Sequence, residues 1–215
     1  MTLKEIYTRY DKLQLKYGET TLKAIYGGGL EENPDTLFIF MNPTATNLAS
    51  HSNWQGINAP FIGTKSVWKV LFDLDLISNE LLTEILDKKP RDWTECFADK
   101  VYNEIKSNKI YITNLAKCTQ LDARKLKDDI FKKYLSLLEE EITLINPKKI
   151  VCFGNKVSSL FLNKKIEVGK NRCVKHYKTI NNNSYITYAC YYPIGLGFRN
   201  RHKALEDLDT ILKKE

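Results

Sequence analysis

The sequence has no C-x-x-C pair, no long apolar run, no internal repeat and no low-complexity tract, and each absence removes a class of protein. Its five cysteines, Cys96, Cys118, Cys152, Cys173 and Cys190, are odd in number and widely spaced over 215 residues. That distribution speaks against a disulfide framework and against a zinc or iron–sulfur site. Reduced thiols are expected, with Cys152 in Ile150-Val151-Cys152-Phe153 reading as a small buried hydrophobe. The longest apolar runs, such as Leu37–Met41, fall far short of the roughly 20 residues of a membrane span. The first residues, Met1-Thr2-Leu3-Lys4-Glu5, carry neither the apolar stretch nor the cleavage pattern of a signal peptide. Since 43% of residues are apolar and 27% charged, the chain can bury a sizeable core, and wholesale disorder is excluded. A soluble cytoplasmic protein is expected, monomeric, with one domain of ordinary size.

Acidic residues are scarce in the last third. Residues 147–215 hold 14 basic and 5 acidic side chains, whereas residues 1–146 hold 19 and 21. The whole net charge of +7 therefore comes from the C-terminal part. Nine of its bases lie between Lys148 and Lys178, opposed there only by Glu167. Such a lopsided field suits a phosphate backbone, although a solvated lysine-rich face would have the same composition.

Strand-like and helix-like patterns alternate along the chain. Thr2-x-x-Glu5 is a capping box, and Leu3, Ile6, Tyr7, Tyr10 and Leu13 follow at helical spacing. Gly27-Gly28-Gly29 marks a break. Four strands are expected, at Leu37–Met41, Lys109–Thr113, Lys149–Phe153 and Ser184–Cys190. Helices are expected at 67–71, 79–87, 92–106, 128–145, 155–162 and from Arg199 onward; the helix over 128–145 must stop at Asn146-Pro147. The alternation predicts a parallel sheet wrapped on both faces, with ligands beyond the carboxyl ends of its strands. The first strand is followed by Asn42-Pro43-Thr44 instead of a glycine-rich phosphate fingerprint, which argues against a nucleotide-binding regulatory domain.

Four segments at those strand ends carry chemistry. Asn42-Pro43-Thr44 offers a carboxamide stiffened by proline, and Pro60-Phe61-Ile62-Gly63 places an aromatic ring in a loop. Tyr111-Ile112-Thr113-Asn114 offers a second carboxamide, and Tyr192-Pro193-Ile194-Gly195-Leu196 is a rigid turn bearing a phenol. Alone, each reads as an ordinary turn, core plug or helix cap.

Together, in this order, they resemble the uracil-DNA glycosylase superfamily over roughly Leu37 to Leu212. Phe40-Met41-Asn42-Pro43 resembles the first motif of the mismatch-specific and single-strand-selective branches, G-I-N-P-G and G-M-N-P-G. Pro60-Phe61-Ile62-Gly63 is similar to the P-F-x-G stacking motif. Tyr111–Cys118 resembles Y-I-T-N-x-x-K-C of the thermostable bacterial branch, and Pro147–Gly154 its P-x-x-I-x-x-x-G strand. Tyr192-Pro193-Ile194-Gly195-Leu196 stands where the family has H-P-S-P-L or a variant.

The resemblance implies one domain over residues 1–215, a three-layer α/β/α sandwich around a short, mostly parallel four-stranded sheet, with residues 1–35 as a helical extension packed on it. It implies a DNA glycosylase that flips uracil or a related damaged base out of the duplex and hydrolyses its glycosidic bond. In that scheme Phe61 stacks on the pyrimidine and Asn114 reads its edge, with Pro43 and Thr44 lining the pocket. Asn42 aligns the attacking water by position, because an amide is too weak a base to do more. Tyr192 stands where a histidine would donate to the departing base, and a phenol donates one hydrogen bond without taking positive charge. His202 is a possible stand-in. Thr44 occupies the place where one branch has a tyrosine that excludes thymine. Leu196 is the expected wedge into DNA, beside Arg199, Asn200 and Arg201 as DNA-binding residues. Only Cys118 has a counterpart among the thermostable branch's cluster ligands, so no metal and no other cofactor is expected. The alternative is a nucleic-acid-binding protein that keeps the fold and has lost catalysis through the histidine-to-tyrosine change.

Overall fold

The computed structural model describes residues 2–122 and 126–213. Seven α-helices and six strands are present among them: α1 (Leu3–Tyr17), β1 (Gly27–Gly29), β2 (Thr36–Phe40), α2 (Ser66–Phe72), α3 (Asn79–Asp87), α4 (Glu95–Ser107), β3 (Ile110–Asn114), α5 (Asp128–Ile145), β4 (Lys149–Phe153), α6 (Asn155–Leu162), β5 (His176–Ile180), β6 (Asn183–Cys190) and α7 (Arg201–Lys213). The sheet runs β1-β3-β2-β4-β6-β5. Its four central strands are the expected parallel ones, and antiparallel β1 and β5 close the two edges. The expectation of four strands is corrected to six, in a mixed sheet.

Both added strands have local causes. β1 consists of three glycines because its neighbours leave no room for side chains: a Cβ on Gly27 would lie 2.3 Å from the Tyr111 hydroxyl, and one on Gly28 2.5 Å from the Tyr102 ring. β5 turns into β6 through Asn181 and Asn182, both at positive φ (47° and 67°), as a tight two-residue hairpin requires.

Helix boundaries follow the capping chemistry. The Thr2 amide donates to Glu5 Oε2 (2.7 Å) and Thr2 Oγ1 accepts from the Glu5 amide, which opens α1. α5 ends at Asn146 in the left-handed region, immediately before Pro147. The last helix starts two residues later than the pattern predicts, because Gly195–Asn200 forms a 3-10 turn ahead of α7.

Alternation along β2 builds two cores. Leu37 and Ile39 join Ile6, Tyr10, Phe131 and Phe161 beneath α1, α5 and α6. Phe38 and Phe40 join Trp68, Phe97, Val101 and Leu208 beneath α2, α4 and α7. Residues 1–35 thus supply α1, which lies over one face, and β1, which is part of the sheet. No helix among the described residues is long and apolar enough to cross a membrane.

Candidate active site

Parallel register brings the two carboxamides together. Asn114 ends β3 opposite Phe40, the last residue of β2, so Asn42 lies two residues beyond its neighbour's partner. The strand ends stay joined past the sheet, since the amides of Leu115 and Ala116 donate to the carbonyls of Phe40 (2.8 Å) and Met41 (3.0 Å). Both asparagines line a pocket of about 490 Å³ at the carboxyl ends of the parallel strands, with Pro43, Thr44, Phe61 and Tyr192.

Each amide carries an unused hydrogen-bonding atom. Asn42 donates from Nδ2 to the Pro43 carbonyl (3.2 Å), while its Oδ1 is buried without a partner. Asn114 is 3% exposed, and its Nδ2 is likewise buried and unpartnered. Leaving a buried polar atom unpaired costs about 1–3 kcal/mol, so two such atoms in one pocket mark where a ligand would bond.

The aromatic wall is held under backbone strain. Phe61 has φ +65°, unusual for a bulky residue and costing about 1–3 kcal/mol. Its carbonyl offsets this by accepting from the Thr64 amide (3.1 Å), Thr64 Oγ1 (2.8 Å) and Trp68 Nε1 (3.3 Å). Phe40 forms the hub behind the pocket, edge-on to Phe61 (4.8 Å) and Tyr192 (5.9 Å) and stacked on Phe153 (4.3 Å). Burial raises the Tyr192 hydroxyl above its ordinary value, so it stays a neutral donor. Gly197 allows this seat, because a Cβ there would lie 1.9 Å from the Tyr192 carbonyl.

The remaining expected residues follow Gly195, which lines the pocket. The 3-10 turn Gly195–Asn200 carries Leu196, Arg199 and Asn200; the Leu196 side chain lies outside the described residues. Arg199 is exposed. Arg201 is engaged, pairing with Asp73 at the end of α2, and its guanidinium is 5.9 Å from the Phe198 ring. His202 is exposed on α7 and does not line the pocket, so it is not placed to stand in for the missing imidazole.

Sequence reasoning missed Asn47 and Lys156, which also line the pocket. Asn47 ties the loop internally, donating to the Ala59 carbonyl (3.0 Å) and accepting from the Ala49 amide (3.1 Å). Lys156, on α6 just after Gly154, pairs with Asp128 (2.8 Å); its place after the third strand was the available signal.

A larger hollow, about 560 Å³, lies at the other end of the sheet against the strand starts Thr36, Ile110 and Lys149. It lacks the two free amides and the aromatic wall, so chemistry favours the smaller pocket. Among the described residues no three His, Cys, Asp or Glu side chains gather as metal ligands. The five cysteines form no disulfide and lie dispersed, and Cys118 is buried with its thiol raised by that burial. These residues do not fit an iron–sulfur cluster.

At the carboxyl ends of an α/β sheet, two strand-end amides thus share one pocket with the ring of Phe61. The family model for the uracil DNA glycosylase superfamily matches residues 30–214, and the chain belongs to that superfamily. No curated protein matches the chain.

Proposed function

We propose that the protein is a DNA glycosylase releasing uracil or a related damaged base. The observation that carries this reading is the pair of unpartnered amide atoms, Asn42 Oδ1 and Asn114 Nδ2, in one pocket walled by Phe61. A flipped pyrimidine stacks on Phe61, a contact worth about 1–3 kcal/mol. Asn114 Nδ2 donates to O4 and its Oδ1 accepts from N3–H; cytosine has the opposite pattern and would leave buried groups unpaired. Asn42 Oδ1 accepts from a water and holds it against the anomeric carbon. The glycosidic bond breaks, its electron pair leaves with the base, and the water oxygen bonds the sugar carbon as its proton is lost to solvent. The Tyr192 hydroxyl donates to the departing anion.

The test is incubation with oligonucleotides bearing one uracil, hypoxanthine or T·G mismatch, followed by alkaline cleavage of abasic sites. Asn42→Ala is expected to slow release by about 100-fold or more with DNA affinity near wild type. Equal rates in the two proteins would remove Asn42 from the reaction. One observation favours the alternative, a binding protein without catalysis: Tyr192 cannot take positive charge as an imidazole does. Absence of release from every substrate, with DNA binding retained, would select it.

A further inference from the structure

Helix α1 precedes the matched residues 30–214, yet it bonds into the loop that follows Asn114 and connects through that loop to the one that follows Asn42. The Tyr10 hydroxyl donates to Glu141 Oε2 (2.7 Å). Glu141 holds Lys117 Nζ at 2.9 Å, and the two side chains are 1% and 0% exposed. Lys117 in turn donates to the Asn114 carbonyl (2.7 Å) and to Thr113 Oγ1. The Tyr10 ring also lies 5.1 Å from that ammonium. Burial lowers the Lys117 pKa, and Glu141 offsets part of the effect.

A second path runs from the end of α1. Gln14 Oε1 accepts from the Thr119 amide (2.8 Å), and the Tyr17 carbonyl accepts from Gln120 Nε2 (2.9 Å). The Gln120 backbone then clasps the first loop, donating to the Pro43 carbonyl (3.3 Å) and accepting from the Ala45 amide (2.8 Å).

We propose that α1 is a positioning element for the pocket: Tyr10 acts on Asn114 through Glu141 and Lys117, and Gln14 with Tyr17 acts on Asn42 through Gln120. Its consequence for catalysis rests on the glycosylase reading; its geometry does not. An ammonium bonded to the Asn114 carbonyl fixes that peptide plane, and with it the direction of the side-chain amide. Base release depends on such directions, since a misplacement of about 1 Å can cost 100-fold.

The experiment uses the full chain with Tyr10→Phe, which keeps the ring and removes only the hydroxyl, and with Gln14→Leu. Leu15→Ala, at an exposed position of the same helix, is the control. Two readouts are taken well below each protein's thermal midpoint: kcat and KM on uracil-containing DNA, and the Asn42 and Asn114 side-chain amide signals in nitrogen-15 spectra. Tyr10→Phe is expected to shift or broaden the Asn114 signals and lower kcat about 10-fold with KM unchanged. Gln14→Leu is expected to do the same through Asn42, and Leu15→Ala to change neither readout. Amide signals unmoved by Tyr10→Phe and Gln14→Leu overturn the proposal, whether or not rates fall. If wild type releases no base, the glycosylase reading fails alone, and the amide signals still decide the positioning.

Discussion

A phenol in place of an imidazole changes the pH window in which a site can donate a proton-bearing group. An imidazole with its ordinary pKa near 6.5 would switch near neutrality. Tyr192 does the opposite, because burial lifts its hydroxyl above the ordinary phenol value and the donor form is retained as pH rises. Among the described residues that line the pocket, Lys156 is the only other ionisable side chain. Single-turnover release is therefore expected to stay flat from roughly pH 6 to 9. Tyr192→Phe should lower that plateau about 10- to 100-fold without changing its shape. A wild-type profile with a step between pH 6 and 8 would show that some other group donates to the leaving base.

Strand β1 decides more about the site than its length suggests. Its glycines let Tyr102 pack against the backbone, and the Tyr102 hydroxyl then donates to the Pro60 carbonyl beside Phe61. Gly29 has φ +117°, and a Cβ there would lie 2.1 Å from the Ile110 carbonyl oxygen. Gly29→Ala is thus expected to destabilise the fold by about 2 kcal/mol or more, measured by urea unfolding; an unchanged midpoint would mean the edge strand relaxes freely. The same element shows where sequence reading stops. Continuous apolar runs revealed β2, β3 and β4, because strands covered on both faces need apolar side chains at every position. Gly27-Gly28-Gly29 offered no such signal, since its strand conformation is dictated by Tyr111 and Tyr102, far away in sequence. β5 was hidden for another reason: Tyr177 and Thr179 face solvent on an edge, so the apolar pattern is broken. The pocket residues on strand ends were readable because topology puts strand ends together. The Lys117–Glu141 pair was not, because a lysine after a strand gives no sign that a carboxylate 24 positions on will meet it inside the core.

The basic excess of the whole molecule is distributed differently from its count along the chain. Lys148 pairs with Asp35 (2.7 Å), Lys178 with Glu139 (2.7 Å), and Arg172 with Glu206 and Asp207 (both 2.8 Å). Lys165 and Lys170 share Glu167. Lys148 also lines the hollow at the strand starts, at the end of the sheet away from the amide pocket. A duplex whose flipped base enters that pocket would meet the turn Gly195–Asn200, where Arg199 is exposed and forms no ion pair among the described residues. Each phosphate contact releases counterions, so losing one should reduce the slope of log affinity against log salt by about one unit. Arg199→Ala is expected to do this on uracil-containing and undamaged DNA alike, because a phosphate contact carries no sequence information. Lys148→Ala, at the far end, should leave the slope unchanged even though it removes the same charge. The comparison separates local contact from overall field. Titrations between 50 and 200 mM salt in which both variants flatten the slope equally would mean that net charge, and not this turn, holds the DNA.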